Sequence, residues 1–272
     1  MNMADRLVES LGQIHPRKNG KNDRKNNSAV FQAASLALAS NMGRWSTFLN
    51  RRKEFESLLE NYNPVAFSKA VDSDRSRIQQ VKECLGGLTG GKDAKAIGKW
   101  AYSLGKDIEY YQALEELRDN ISRLVRTEEV VPVLAAFLGD PKKRIEKQWP
   151  PPPGMETWKA PGMRMPLASE FLRNLHWEGF KPDRHIKRLF LRWFPGVVEK
   201  KSERADHLAR HVLCGRSKDL IEDIKFSLVG AAVTPDGCSR TKADNLVWAL
   251  GAYVETKNKE SDTVYWKTIR LE

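Results

Sequence analysis

The sequence predicts an all-α fold, and three features of the chain support that prediction. Apolar residues recur every three to four positions, the spacing of one helix face, through most of the chain. No stretch alternates apolar and polar residues over several successive strands. Clusters of glycine and proline interrupt the helical pattern at a few places. With 272 residues, 40% of them hydrophobic, the chain can build the core of one large domain or two small ones.

The charge balance of the chain is strongly basic. A formal net charge of +11 indicates a polyanionic partner, with nucleic acid as the first candidate and an anionic membrane surface as the second. No apolar run approaches the length of a membrane-spanning helix, and no apolar stretch of a secretory signal is visible. The three cysteines lie far apart without a CxxC pair, which argues against a disulfide scaffold or a four-cysteine metal site. We therefore expect a cytoplasmic protein without a membrane partner, a metal or a cofactor.

The N-terminal half begins with a basic segment and continues with helices. Residues 15–27 carry five basic side chains and one acidic one, which predicts a flexible arm that contacts DNA or a solvated loop. Residues 28–62 show helical spacing with a break at 41–43. The same spacing predicts one long helix at 104–124 and a short apolar helix at 130–138.

Two segments rich in glycine or proline predict loops. Residues 86–92, GGLTGGK, resemble a phosphate-binding loop in composition, but Asp93 follows the lysine where a P-loop has Ser or Thr. Residues 149–154 contain four consecutive prolines, which favour an extended conformation and exclude a helix. The predicted organisation is a short N-terminal segment and two helical lobes, which can also form one compact unit, at 1–27, 28–148 and 149–272.

A glycine turn precedes the first helix of the second lobe. Gly162 is expected in a turn between two helices, where it lets the backbone approach a phosphate closely. Pro166 suits the first turn of the following helix, whose N–H groups can also receive a phosphate. Arg164 adds a positive charge beside this turn. An ordinary interhelical loop is the alternative interpretation of these residues.

The next helix is basic on one side and apolar on the other. Its predicted core face consists of Ile186, Leu189, Phe190, Trp193 and Phe194. Asp183 follows Pro182 in an N-cap position, and capping is the commonest role of an aspartate there. Between residues 159 and 192, however, eight Lys and Arg residues accompany only three acidic ones. A carboxylate at the start of a basic helix is therefore also a candidate for chemistry on a bound polyanion.

This arrangement resembles the helix-hairpin-helix DNA glycosylases of base excision. Their pattern is a hairpin of the form LPGxGxxTA, a helix, and then a segment such as VDxHVxR with the catalytic aspartate. Here residues 160–164, APGMR, match the hairpin start, Ala168 matches its alanine, and residues 182–188, PDRHIKR, match the aspartate segment. Arg164 replaces the second hairpin glycine. The resemblance covers about 35 residues, and its more specific half is the aspartate segment.

The resemblance implies a two-lobed helical DNA glycosylase-like fold with a helix-hairpin-helix motif. It implies that the partner is double-stranded DNA containing a damaged or modified base, and that the protein acts as a monomer. Asp183 is then the catalytic residue. The expected DNA-binding residues are Lys159, Gly162, Arg164, Arg184, His185, Lys187 and Arg188. The aromatic candidates for stacking on the extruded base are Trp158, His176 and Trp177, each of which could instead pack in the core.

One departure from the family pattern bears on the mechanism. Bifunctional members carry a lysine four residues after the first hairpin glycine, and that lysine attacks the sugar. Here the position is Pro166, and no lysine lies in residues 166–176. The resemblance therefore implies a monofunctional enzyme, in which water attacks while Asp183 aligns it or stabilises the oxocarbenium-like sugar. Lys159 and Lys181 are the alternative nucleophiles.

Other patterns in the C-terminal part are less specific. His207 and His211 lie one helical turn apart, but Leu208 stands where a zinc peptidase has glutamate, so a basic surface helix is expected rather than a metal site. Two further helices are predicted, at 219–233 and from about Thr241 onward. Ser239, Arg240 and Lys242 are candidates for a second DNA contact.

Two functions remain open from the sequence. The first is base removal that leaves an abasic site, in DNA repair or in a specialised role against the modified cytosines of phage DNA. The second is DNA binding without catalysis, in which the turn and the basic helix only hold phosphates and Asp183 is a cap. Only the first function produces abasic sites.

Overall fold

The computed structural model describes residues 26–41, 45–106 and 108–254, and it confirms the all-α prediction. Within these ranges the chain forms helices and no strand. The α-helices are α1 (Asn27–Ala39), α2 (Trp45–Asn50), α3 (Arg52–Leu58), α4 (Pro64–Ser73), α5 (Arg77–Leu85), α6 (Gly90–Leu104), α7 (Tyr110–Ser122), α8 (Val130–Gly139), α9 (Lys143–Glu146), α10 (Met165–Asn174), α11 (Arg184–Trp193), α12 (Pro195–His207), α13 (Lys218–Val233) and α14 (Arg240–Ala249). Short 3-10 turns occur at Glu60–Tyr62 and Thr127–Glu129, and π-helical turns at Leu208–Val212 and Leu250–Val254.

Helix α1 is the central element of the larger core. Nine of its 13 residues are buried, because it packs against both α6 and α10. The side chain of Asn26 accepts a hydrogen bond from the backbone N–H of Ala29 and caps the helix. The predicted basic segment at 15–27 lies outside the described residues except for its last two positions. The predicted break at 41–43 is described only at Asn41.

The larger core continues across the proline-rich segment. Trp149, Trp158 and Ala160 all belong to it, together with residues of α1, α6, α7, α8 and α10. The backbone N–H of Trp158 donates to Glu146 Oε1 at 2.7 Å, and that of Ala160 donates to the Leu138 carbonyl at 2.9 Å. The predicted lobe boundary at residue 149 therefore falls inside a continuous core.

A smaller second core lies between α11, α12, α13 and α14. Its buried residues are Phe180, Ile186, Phe190, Val198, Phe226 and Val229. Gly230 in α13 lies so close to Phe180 that a Cβ atom there would overlap the ring. Residues 181–185 consequently run along the junction between the two cores, and this junction holds the candidate site.

The turn at Gly162 differs from the expected helix-hairpin-helix arrangement. Helix α9 ends at Glu146, and no helix occurs between it and the turn. The reason is the run of prolines, whose rings fix φ and remove backbone donors. Helix α8 packs against α10, but a connection of more than twenty residues separates them. The sequence predicts a helix on each side of the glycine turn. This prediction is wrong for the preceding side, because no helix lies directly before the turn.

The helix predicted at 104–124 begins later than expected. Leu104 is the last residue of α6, and the predicted helix corresponds to α7, which begins at Tyr110. The side chain of Asn27 donates to the carbonyls of Leu104 and Ile108 at 3.0 and 2.6 Å, which fixes the connection between them. Among the described residues no helix is long and apolar enough to cross a membrane.

Candidate functional site

A cavity of about 530 Å³ opens between the C-terminal end of α1, helix α10, the start of α11 and helix α14. Its size lies within the range of roughly 300–1,000 Å³ that is usual for ligand pockets in proteins. Both acidic and basic side chains line its wall. The charged lining residues are Glu170, Arg173, Lys181, Asp183, Arg184, Lys187 and Asp244.

Asp183 lies at the wall of this cavity and caps α11, as the sequence predicts. Its Oδ1 atom accepts the backbone N–H groups of His185 at 2.8 Å and of Ile186 at 3.1 Å. Within the described residues no donor is hydrogen-bonded to the other oxygen, Oδ2. The cap therefore fixes the orientation of the carboxylate and leaves one oxygen for a ligand.

A buried guanidinium joins two further carboxylates beside Asp183. Arg173 is 5% exposed, and its NH1 atom lies 2.7 Å from Glu170 Oε2 and 2.8 Å from Asp244 Oδ2. Its NH2 atom donates to the side-chain oxygen of Asn245. Burial opposes the charged guanidinium, but Asp244 and Glu170 raise the pKa of Arg173 above its usual value. This network connects α10 to α14 across the cavity.

The two carboxylates of this network differ in their affinity for protons. Burial raises the pKa of Asp244 to about 7, with Asp183 and Glu170 adding to the effect and Arg173 opposing it. Burial also disfavours the charged form of Glu170, but Arg173 and Lys181 together lower the pKa of that carboxyl. Glu170 is therefore an anion at neutral pH, whereas Asp244 exchanges its proton near neutrality.

Lys181 reaches the cavity, whereas Lys159 does not. The Lys181 Nζ atom donates to Ser40 Oγ at 3.2 Å and lies 3.7 Å from Glu170 Oε2. The Lys159 Nζ atom donates to the carbonyl oxygens of Gly139 and Met163, and burial lowers the pKa of this amine. Lys159, an expected DNA-binding residue, thus joins the end of α8 to the turn that precedes α10.

One aromatic side chain on the cavity wall was not predicted from the sequence as a site residue. Trp248 of α14 lies on the wall, with its ring 6.2 Å from that of His185 in an edge-to-face arrangement. The His185 Nδ1 atom is 3.0 Å from the Gly251 carbonyl, and burial lowers the pKa of the imidazole. Ala243, Val247 and Leu250 recur at helical spacing in the sequence, and Trp248 falls outside the face that they form, which was the available signal.

The aromatic residues expected to hold an extruded base lie elsewhere. Trp158 is 3% exposed, and its indole N–H donates to the Trp149 carbonyl at 2.9 Å. Trp177 is also buried and packs edge-to-face on Tyr111. His176 adopts a φ of 66° just after α10. The two tryptophans fill the larger core and His176 is exposed to solvent, and none of the three expected residues lines this cavity.

The turn at Gly162 is held against α1 and α6. Gly162 has a φ of 75°, and a Cβ atom there would lie 2.5 Å from Ala96 Cβ and 3.0 Å from a methyl group of Leu38. The indole N–H of Trp100 donates to the Pro161 carbonyl at 3.2 Å. Packing and a left-handed backbone therefore require glycine at this position. The opposite side of the turn remains exposed to solvent.

The expected DNA-binding cations differ in their availability. The side chain of Arg164 is 87% exposed beside the turn, 4.0 Å from Asp219, and Arg184 is exposed at the start of α11. Lys187 is ion-paired with Asp223 at 2.7 Å, and Arg188 donates to the Gly251 carbonyl at 2.6 Å. Arg164 and Arg184 are thus better placed to meet phosphates than the two cations that follow in α11.

Comparison of the chain with protein-family models, with curated proteins and with solved structures finds no match. In the described parts of the chain, no three His, Cys, Asp or Glu side chains are grouped so as to hold a metal ion. The residues of the cavity are accordingly the basis for a functional proposal.

Proposed function

We propose that this protein is a DNA glycosylase, which hydrolyses the N-glycosidic bond of a flipped damaged or modified base and leaves an abasic site. The observation that carries the proposal is the position of Asp183. Its carboxylate is fixed by the cap of a basic helix and lines a cavity of about 530 Å³. The resemblance of residues 182–188 to the aspartate segment of the glycosylases supports the same function.

The first step is the entry of the target nucleotide into the cavity. Extruding a base from the duplex costs a few kcal/mol, and damaged or mismatched bases cost least. Stacking on an aromatic ring offsets roughly 1–3 kcal/mol of this cost, and Trp248 is the aromatic side chain on the wall. Arg184 is an exposed lining residue, and Arg164 is exposed two positions before the lining residue Pro166, so both would hold neighbouring phosphates.

The chemical step breaks the bond between sugar C1′ and the base nitrogen. The bonding electron pair leaves with the base, so positive charge develops on C1′ and the ring oxygen. The Asp183 carboxylate stabilises this charge, and its fixed orientation avoids reorganisation during the reaction. Water then adds to C1′, and the proton that it gives up goes to the released base, which leaves a neutral base and an abasic sugar.

The cavity supports hydrolysis by water better than attack by a lysine. Helix α10 contains no lysine, and the amine of Lys181 is held by Ser40 and Glu170. An amine that is held by a hydroxyl and a carboxylate is not oriented to attack a sugar carbon. We therefore propose a monofunctional enzyme that removes the base in one hydrolytic step.

DNA binding without catalysis is the second candidate, and the cap bonds of Asp183 favour it. Both functions predict affinity for DNA that falls with salt. An abasic-site assay separates them: duplexes with oxidised, alkylated, deaminated or glucosylated bases are incubated with the protein and then cleaved with alkali. We expect strand cleavage on at least one of these duplexes. DNA binding with no cleavage on any of them would favour the binding protein.

The same panel of modified duplexes also distinguishes a role in DNA repair from a role in phage defence. A protein that excises oxidised, alkylated or deaminated bases belongs to DNA repair. Excision of glucosylated or otherwise bulky cytosines, with cleavage of modified phage genomes and not of unmodified ones, would indicate phage defence. The cavity volume is compatible with either class of base.

A further inference from the structure

Two neighbouring side chains on the cavity wall carry buried donors without an acceptor. Arg173 is 5% exposed and Asn245 is 3% exposed, and both residues line the cavity. Among the described residues, the Arg173 Nε atom and the Asn245 Nδ2 atom have no hydrogen-bond partner. A buried donor without a partner is unfavourable, and native structures rarely retain one. A ligand that brings an acceptor to this part of the wall would remove that penalty.

The orientation of the Asn245 amide is set by Arg173. The Arg173 NH2 atom donates to Asn245 Oδ1. A guanidinium has donors only, so the amide turns its oxygen toward Arg173 and its NH2 group away. The guanidinium is itself fixed, because its NH1 atom lies 2.7 Å from Glu170 Oε2 and 2.8 Å from Asp244 Oδ2. The network therefore presents the free amide donor in one orientation.

The free amide donor shares a helix face with the aromatic residue of the cavity. Asn245 and Trp248 are three positions apart in α14, and both line the cavity. A flat ring that stacks on the Trp248 indole can therefore bring its edge to the Asn245 amide. This arrangement suits a base with an acceptor on its edge.

The charges beside the two donors favour a neutral acceptor over an anion. The positive charge of Arg173 already faces the carboxylates of Glu170 and Asp244. A phosphate oxygen at the same place would be repelled by those carboxylates, and the exposed Arg184 offers a phosphate a better partner. A carbonyl oxygen has two lone pairs and no net charge, so it meets both requirements.

We propose that Asn245 and Arg173 bind a carbonyl oxygen of the extruded base, so that the substrate is a base that carries such an oxygen. This inference rests on the proposed glycosylase function and names its substrate class. Pyrimidine bases, guanine derivatives and hypoxanthine all carry a carbonyl group. Adenine and its alkylated forms carry none and would leave the two buried donors unpaired, so the site rejects them.

Binding to two duplexes that differ in one exocyclic group tests this substrate class. One duplex carries hypoxanthine and the other adenine, each in a 2′-fluoro nucleotide whose glycosidic bond resists hydrolysis. A tetrahydrofuran abasic analogue stands opposite, so neither base is paired. The phosphates are identical in the two duplexes, and a difference in affinity therefore reports the base. The full-length protein should bind the hypoxanthine duplex about tenfold more tightly, a difference of ~1.4 kcal/mol.

Asn245→Asp removes the free donor and keeps the contact with Arg173. One carboxylate oxygen can still accept from the guanidinium, while the other replaces Nδ2 and becomes an acceptor. The preference should reverse toward adenine, whose amino group can donate to that oxygen. A loss of stability alone would not reverse a preference.

Asn174→Asp is the matched control for this variant. Asn174 lines the same cavity, but its Nδ2 atom already donates to the Ala33 carbonyl at 3.1 Å. The control should therefore retain the preference for hypoxanthine.

Three results would overturn the carbonyl site. One is equal affinity of the wild-type protein for the two duplexes. Another is a preference for hypoxanthine that Asn245→Asp leaves unchanged. The third is abasic-site formation on duplexes with alkylated adenine, which would retain the glycosylase and reject only its substrate class. A preference that Asn245→Asp reverses, with no abasic sites on any duplex of the panel, would support the carbonyl site and reject the glycosylase.

Discussion

The two oxygens of Asp183 have different surroundings. Oδ1 holds the first turn of α11 through two backbone N–H groups, and Oδ2 has no hydrogen-bond donor among the described residues. A carboxylate that serves as a cap and faces a cavity can support both a structural and a catalytic role. The carboxylates of Glu170 and Asp244 differ from it, because both are ion-paired with Arg173.

The protonation of Asp244 makes the stability of the fold depend on pH. Its pKa is about 7 in the folded chain and near the usual value of 3.8 when unfolded, so the folded state binds the proton more tightly. This contribution to stability is present below the unfolded pKa and is lost as the pH rises toward 7. Between pH 5 and pH 7, the free energy of unfolding of the wild-type protein, measured in urea, should fall by about 1–2 kcal/mol relative to that of Asp244→Asn.

Asp206→Asn is the control for this measurement. Asp206 forms an exposed ion pair with Arg210 at 2.7 Å, and such pairs contribute little to stability. The difference in free energy of unfolding between Asp206→Asn and the wild type should stay constant over the same pH range. A constant difference for Asp244→Asn as well would show that Asp244 is ionised throughout and that Arg173 outweighs burial.

The position of Lys181 leads to a prediction about covalent chemistry. Because its amine is held by Ser40 and Glu170, it should not attack the sugar. Borohydride added during turnover should therefore trap no covalent protein–DNA adduct on a denaturing gel. An efficient trap that disappears in Lys181→Ala, and persists in Lys159→Ala, would identify Lys181 as a nucleophile.

At the scale of elements, the turn at Gly162 connects the N-terminal helices to the cavity. Gly162→Ala places a methyl group against Ala96 and Leu38 in addition to forcing a positive φ. Gly237→Ala is a matched control, because Gly237 has a φ of 77° and nothing within 4 Å of the added Cβ. The Gly162 variant should lose about 1–3 kcal/mol more stability than the control in urea unfolding. Equal losses of stability in the two variants would mean that the neighbouring side chains accommodate the methyl group at Gly162 without a free-energy cost.

The elements differ in how well they could be predicted from the sequence. Helices α10 and α11, and the Asp183 cap, follow from local signals, namely apolar spacing, a proline in the first turn of α10 and an aspartate before α11. Helix α6 was missed because its first residues, GGKD, have low helix propensity. Burial of Ile97, Trp100 and Leu104 in the larger core outweighs that propensity.

At the scale of the whole molecule, the cavity joins residues that are distant in the chain. Lys181 and Ser40 are separated by 141 positions, and Arg173 and Asn245 by 72. Spacing within the sequence does not report such contacts. The cap position of Asp183 could therefore be predicted from local signals, whereas Trp248 and the Arg173 network at the same cavity could not. The same long-range packing buries Trp158 and Trp177, which were candidates for base stacking in the sequence.

The net charge of +11 fits a molecule that presents exposed cations to a polyanion, including Arg184 at the cavity. The exposed cations Arg164 and Arg184, and the exposed Lys92, Lys95 and Lys99 of α6, come from separate elements. They can grip a DNA backbone together only if the larger core and the smaller core keep their relative positions. The Arg173 network between α10 and α14 contributes to that rigidity.

The most direct test of the central claim is the rate of abasic-site formation by Asp183→Asn on the base identified from the duplex panel. Asparagine preserves the cap of α11 but removes the charge that would stabilise the sugar cation. The rate should fall by about 10²–10³-fold or more, with DNA affinity unchanged or slightly higher and stability close to wild type. A variant that releases the base at the wild-type rate would show that Asp183 is only a helix cap and would contradict the proposed mechanism.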